Sequence, residues 1–206
     1  MNNLQDLQTL MRAHPTVSRW FALPTDQTSS SVLVAPGTMV GGARIASRRL
    51  YRPETGYAKA GPDVDLCICG EPLSVGVSDP SFLHLLERAS RDRVSLVLVA
   101  PWFSDETQAT LAVNNERGSL NAMALVVNAS GLAEITALFQ ISASPLDQLR
   151  AHRLRLEVIA TARAAAFLRP KDPPLGIVSV GGFCREAMWE TWGSLLNTTE
   201  ANNRDR

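Results

Sequence analysis

Cysteine is scarce in this chain. Cys67, Cys69 and Cys184 are all that 206 residues contain, an odd number with no CxxC pair, so there is no disulfide framework to fold around and a reducing compartment fits best. Cys67 and Cys69 read as small apolar residues on a buried strand. An excess of one charge is missing too. Twenty Lys and Arg stand against twenty Asp and Glu, and no run of five like charges occurs, so nothing in the overall field calls for DNA, RNA or an anionic membrane as partner. The local exception is "RIASRR", residues 44–49. Long apolar runs are absent as well: the stretch around "SLVLVAPWF" is far too short to span a bilayer, and "MNNLQDLQTLMRAHP" has no basic segment followed by an apolar one. A soluble, cytoplasmic protein is the expectation.

The signatures of catalysis are missing in the same way. His14, His84 and His152 have no partner at metal-ligand spacing, and Cys67 with Cys69 lacks the second pair a zinc site needs. His84 reads as a surface imidazole. There is no GxSxG elbow, no Ser, His and Asp that can be matched by local pattern, and no GxxxxGK[ST] phosphate cradle. No enzyme activity, metal or cofactor is expected.

What is present is an α/β rhythm. Leu4, Leu7, Leu10 and Met11 fall at helical spacing, and "TVSRWFAL" alternates as a strand does. "PTDQTSSS" is a polar loop, "SVLVAPGTMVGGARIAS" reads as strand, glycine turn and strand, and "RPETG" as a turn. "DVDLCICG" predicts a buried strand, followed by a helix "PSFLHLLERASRDR" with Asp79 as N-cap and Pro80 at its first position. That helix carries two apolar stripes, Phe82, Leu85 and Ala89 beside Leu83, Leu86 and Ser90, one more than packing on a sheet requires. The strand "SLVLVA" follows, then a thinly apolar helix over 105–117, capped by Ser104 or Asp105 and stopped at Gly118, and then the strand-like "SLNAMALVV". A helix near 131–142, a short one near 145–150 and the strand-like "RLEVIATARAAAFL" complete this body. "RPKDPP" at 169–174 reads as a stiff linker in which Pro173 and Pro174 exclude a regular helix or a central strand. Beyond it come the strand "GIVSVGG", the amphipathic helix "CREAMWETWGSLL", in which Trp189 and Trp192 pack the small domain, and a tail at 198–206 expected to be disordered.

Three segments together resemble the bacterial group I chaperonin, GroEL. "SLVLVAPWFSDETQATLAVNNERGSL" follows the family's strand, acidic linker, "ATLVVN" helix and "RG" without a gap; "RPETG" matches "KPETG"; and "GIVSVGGFCREAMW" is similar to "VAVIKVGAATEVEMKE". The resemblance implies an α/β apical-domain-like fold of the swivelling β/β/α type over 33–168. It further implies a small α+β intermediate-like base formed by 1–32 and 175–197, joined through the 169–174 linker. The equatorial ATPase domain finds no counterpart in these 206 residues, and Asn197 stands where the family carries its ATPase aspartate. An amide cannot replace a carboxylate that organises metal and water, so no ATP hydrolysis is expected.

In the family's apical domain two helices line a groove for apolar polypeptide segments. The resemblance maps them onto 80–92 and 105–117, with Leu83, Leu86, Ala112 and Val113 at apolar groove positions and Glu87, Ser90, Asn114 and Arg117 beside them. Gln108 replaces an apolar residue at the start of the second helix, and Arg44, Arg48 and Arg49 stand where the family has aromatics. The implied function is ATP-independent holding of an extended or amphipathic segment of an unfolded or partly folded polypeptide, or of one dedicated partner. The three arginines shift preference toward acidic or amphipathic segments. The alternative is a non-catalytic assembly or adaptor subunit that docks one acidic partner. No nucleic acid and no membrane enters either reading, and a homo-oligomer is compatible with both but not a chaperonin-type ring.

Overall fold

In the computed structural model residues 9, 11–17, 19–24, 31–50, 57–76 and 79–180 are described. The most apolar stretches of the sequence form its centre. β6 (Asp63–Ile68), β7 (Ser95–Ala100) and β8 (Asn121–Val127) are parallel neighbours in a five-stranded sheet, with β4 (Ala43–Ile45) and β9 (Ala151–Arg155) added antiparallel at the edges in the order β4-β8-β7-β6-β9. All six residues of β7 are buried, as a central parallel strand covered on both faces requires.

Helix α1 (Pro80–Asp92) joins β6 to β7 and α2 (Asp105–Glu116) joins β7 to β8. Both crossovers step the same way across the sheet, so right-handed connections put both helices on one face. Their starts are chemically specified: the Asp79 carboxylate accepts from the Phe82 N–H, Pro80 opens α1, and Ser104, not Asp105, caps α2 by accepting from the Thr107 N–H. α3 (Ala129–Phe139), capped by Asn128, leads back toward β9 at the far edge.

A second, fully antiparallel sheet has the order β3-β11-β10-β5, from β3 (Thr38–Val40), β5 (Ala58–Ala60), β10 (Glu157–Ala160) and β11 (Ala165–Leu168). Its two faces serve different cores because strand side chains alternate. Val158, Ala160, Ala165 and Phe167 join the main core under the five-stranded sheet, whereas Ile159 and Ala166 join a smaller cluster with Phe21, Leu175 and Ile177. That cluster seats the third sheet, β1 (Trp20–Pro24), β12 (Pro174–Val180) and β2 (Ser31–Pro36), in which β12 is central, parallel to β1 and antiparallel to β2. The early and late flanks of the chain therefore meet in one sheet.

Several readings need correcting. No strand crosses 169–173, but the central strand β12 begins at Pro174, inside the stretch read as a linker and two residues before "GIVSVGG", with the missing N–H at its first residue. The border drawn at 32/33 runs through β2, which pairs along its length with β12. "RLEVIATARAAAFL" is not one strand but the end of β9 followed by β10, a turn and β11, and the helix near 145–150 is a single 3-10 turn at 146–148. The turn "RPETG", the helix over 184–197 with Trp189, Trp192 and Asn197, and the tail lie outside the described residues.

The crossings between the sheets are pinned by side chains. Arg169 binds the Asp172 carboxylate, donates to the Leu138 carbonyl at the end of α3 and lies 5.1 Å over the Phe139 ring, while Thr38 donates to Asp172. On the opposite side of the body the buried Thr107 hydroxyl lies 2.6 Å from the Val75 carbonyl and accepts the Val75 N–H, fastening the loop before α1 to α2. Thr107→Val keeps the shape but strands those backbone groups, so a loss of about 1–3 kcal/mol is expected. Urea unfolding checks this; a shift within about 0.3 kcal/mol would show that the loop finds water instead.

Candidate functional site

The polypeptide-binding residues expected from the sequence fall on α1, α2 and the chain between β4 and β5. They are only partly brought together. On α1, Phe82, Leu85, Leu86 and Ala89 are the buried set, the i, i+3, i+4, i+7 pattern of a helix face on a sheet. Leu86 is only 8% exposed and belongs to the main core. It therefore leaves the second apolar stripe, of which Leu83, 38% exposed, and the exposed Ser90 remain at the surface beside the exposed Glu87. On α2, Thr107, Leu111 and Ala112 are buried, and Ala112, at 3%, is a core residue and not a groove residue. Val113 is 41% exposed, and Arg117 is exposed at the C-cap.

The polar members of the set have local partners. The Gln108 amide donates to the Phe103 carbonyl at 2.9 Å, closing the first turn of α2 over the end of β7. Asn114 donates to the Thr110 carbonyl and meets Ser119, while the neighbouring Asn115 exchanges two hydrogen bonds with the Ala122 backbone and ties the helix end to β8. The core-facing side of α2 is thus short, Thr107, Leu111 and Ala112, and the Asn115 amide adds a polar tie to the sheet. Trp102, in the loop between β7 and α2, is exposed and was hidden in the sequence by the apolar run that precedes it.

Arg44, Arg48 and Arg49 do not form one patch. Arg44 stands on edge strand β4 opposite Val126, whereas Arg48 and Arg49 lie on a 3-10 turn at 48–50. These two border an open cleft of about 1390 Å³ at the C-terminal ends of α1 and α2, with Ser90 and Arg93 from α1 and its cap, Asn115 and Glu116 from α2, and Lys59 from β5. Neither Arg93 nor Lys59 was singled out in the sequence. Arg93 has φ 54°, a left-handed cap that sequence patterns assign to glycine or asparagine, and Lys59 sits in a three-residue strand flanked by alanines.

Among the described residues no group of three His, Cys, Asp or Glu stands together to hold a metal. Burial, reinforced by the neighbouring Cys69, pushes the Cys67 thiol up to about 12, so it is no nucleophile near neutral pH. Among the described residues no helix is long and apolar enough to cross a membrane.

No family model and no curated protein sequence matches the chain. Among solved structures, the chaperonin gp146 from the bacteriophage EL 2 (Pseudomonas aeruginosa), determined in the presence of ATP-BeFx, is similar over 91% of this chain and 46% of its own, with a TM-score of 0.52 and 12% identity. The chain thus spans about half the length of that chaperonin, and at this identity the likeness is one of fold. Three stacked sheets, with α1 and α2 side by side on the outermost, make this a mixed α/β protein with a chaperonin-like fold.

Proposed function

We propose that the chain is an ATP-independent polypeptide-holding protein of the cytoplasm, built like the apical and intermediate parts of a group I chaperonin and acting outside a chaperonin-type ring. The observation that carries this reading is the α1/α2 face, where Leu83 and Val113 are exposed on a surface that is otherwise polar. Isolated exposed apolar residues are common, so the weight comes from their occurrence on two neighbouring crossover helices of a chaperonin-like fold. Covering such side chains under a client contributes a few kcal/mol at ~25 cal/mol per Å², a weak contact suited to transient holding or to several copies acting together.

The reading without ATP rests on the missing GxxxxGK[ST] cradle and on Asn197, and that without enzyme activity on the lack of a catalytic motif in the sequence. The test is fluorescence anisotropy of a labelled, permanently unfolded polypeptide titrated with the protein. Binding at about micromolar Kd is expected, unchanged by ATP and magnesium. No binding, or binding that requires ATP, contradicts the proposal.

A further inference from the structure

We infer that the cleft at the C-terminal ends of α1 and α2 selects which polypeptide is held, by taking an acidic extended segment. This rests on the polypeptide-holding reading and adds the chemistry of the client. Among the described residues four cations, Arg48, Arg49, Lys59 and Arg93, line the cleft against a single acid, Glu116. Lys59 is engaged by Glu157 at 2.9 Å. Arg49 and Arg93 are exposed, and no carboxylate among the described residues pairs with either.

The obvious structural duty for cations at this place is to neutralise the carbonyl ends of the two helices. Here backbone N–H groups already cap several of those carbonyls. The Arg93 N–H serves the Ala89 and Ser90 carbonyls, Arg117 serves Val113, Gly118 serves Asn115, and Ser119 serves Asn114. With no carboxylate partner among the described residues, the guanidinium groups of Arg49 and Arg93 are open to a ligand, and their forked donors match carboxylates.

Size and lining decide the class of ligand. At about 1390 Å³ the cleft exceeds the roughly 300–1,000 Å³ usual for small molecules, which favours a chain segment. A single-stranded nucleic acid would be served by several stacking aromatics, and among the described residues Tyr57 is the only aromatic in the lining. Leu50, Leu120 and Met123 instead form an aliphatic floor, suited to a peptide in which glutamates or aspartates alternate with apolar residues. Such a segment would lay its acids on Arg49 and Arg93 and continue toward Val113 at the end of α2.

The test uses two labelled peptides of equal length and apolar content, one with glutamates where the other has glutamines, in anisotropy titrations against the wild type and an Arg49→Glu, Arg93→Glu variant. Both positions are exposed, and unchanged circular dichroism confirms that the variant folds. The wild type is expected to prefer the acidic peptide by roughly 10-fold or more at low ionic strength, with the preference shrinking as salt rises. The variant is expected to lose the preference, binding the two peptides with affinities within about twofold of each other. Equal binding of the two peptides by the wild type, or a preference that survives the charge reversal, overturns the inference and leaves the holding reading standing. If neither peptide binds, both fall. A thymidine oligonucleotide that displaces the acidic peptide and binds more tightly than it also overturns the inference, in favour of nucleic acid.

Discussion

Asp65→Ala is expected to cost about 2–4 kcal/mol of stability, the largest effect of any single polar substitution proposed here. Asp65 lies on β6 among buried residues and its side chain is 1% exposed, yet it is charged. Arg88 of α1 reaches it with two guanidinium nitrogens at 3.0 and 2.9 Å, and Arg153, its cross-strand partner on β9, binds both carboxylate oxygens and continues to Asp92. Burial alone would push the Asp65 carboxyl up, but its hydrogen bonds and charge pairing with Arg153 and Arg88 outweigh that and hold it below the ordinary carboxylate range. Among the described residues, removing the carboxylate leaves Arg88 with only the Ala151 carbonyl and Arg153 with only Asp92, and loosens the edge strand and the helix together. The Arg88 and Arg153 side chains are 27% and 46% exposed, so water recovers part of the loss, which is why about 2–4 is expected and not the full 3–5 kcal/mol of a buried pair broken on one side.

The pH dependence has a definite sign. A carboxylate whose folded pKa is depressed stabilises the fold fully above its unfolded pKa, and that stabilisation is lost as pH falls through the folded value. The gap between wild type and Asp65→Ala should therefore be constant near neutrality and shrink below roughly pH 4. Urea unfolding at several pH values measures both. A gap under about 0.5 kcal/mol at neutral pH would place the cluster with ordinary surface ion pairs.

This cluster also shows what the sequence conceals. The acid inside "DVDLCI" is visible at once, but its partners lie 23 and 88 residues away; the seating of α1 on the sheet brings Arg88 to it, and the pairing of β6 with β9 brings Arg153. β9 itself, "AHRLR", is a short charged edge strand without an apolar run to announce it. By contrast, β6, β7 and β8 are legible because strands buried on both faces need unbroken apolar stretches, and α1 because Asp79 and Pro80 mark its start. The candidate site is legible in its elements but not in its side chains. Spacing places Leu86 equally on either stripe of α1, and only the angle of the helix on the sheet turns it inward beside Leu85. The "RIASRR" cluster divides because β4 ends at Ile45 and the chain then turns, leaving Arg44 on a strand edge and Arg48 and Arg49 at the cleft.

These placements decide which substitutions test binding cleanly. Leu86→Asp would bury a charge in the main core and confound loss of binding with loss of fold. Leu83→Asp with Val113→Asp changes two exposed positions, so stability should stay within about 0.5 kcal/mol per site. If the α1/α2 face holds the client, losing both apolar contacts and setting charges in their place should cost about 2–3 kcal/mol of binding, roughly 30- to 150-fold in Kd. Titration of a labelled unfolded polypeptide with this double variant and with the wild type, under identical conditions and without nucleotide, is the most direct test. A 30-fold or greater weakening, roughly as estimated from the apolar area, with unchanged urea unfolding is the predicted result; equal affinity in the two proteins would contradict a client-holding face on α1 and α2.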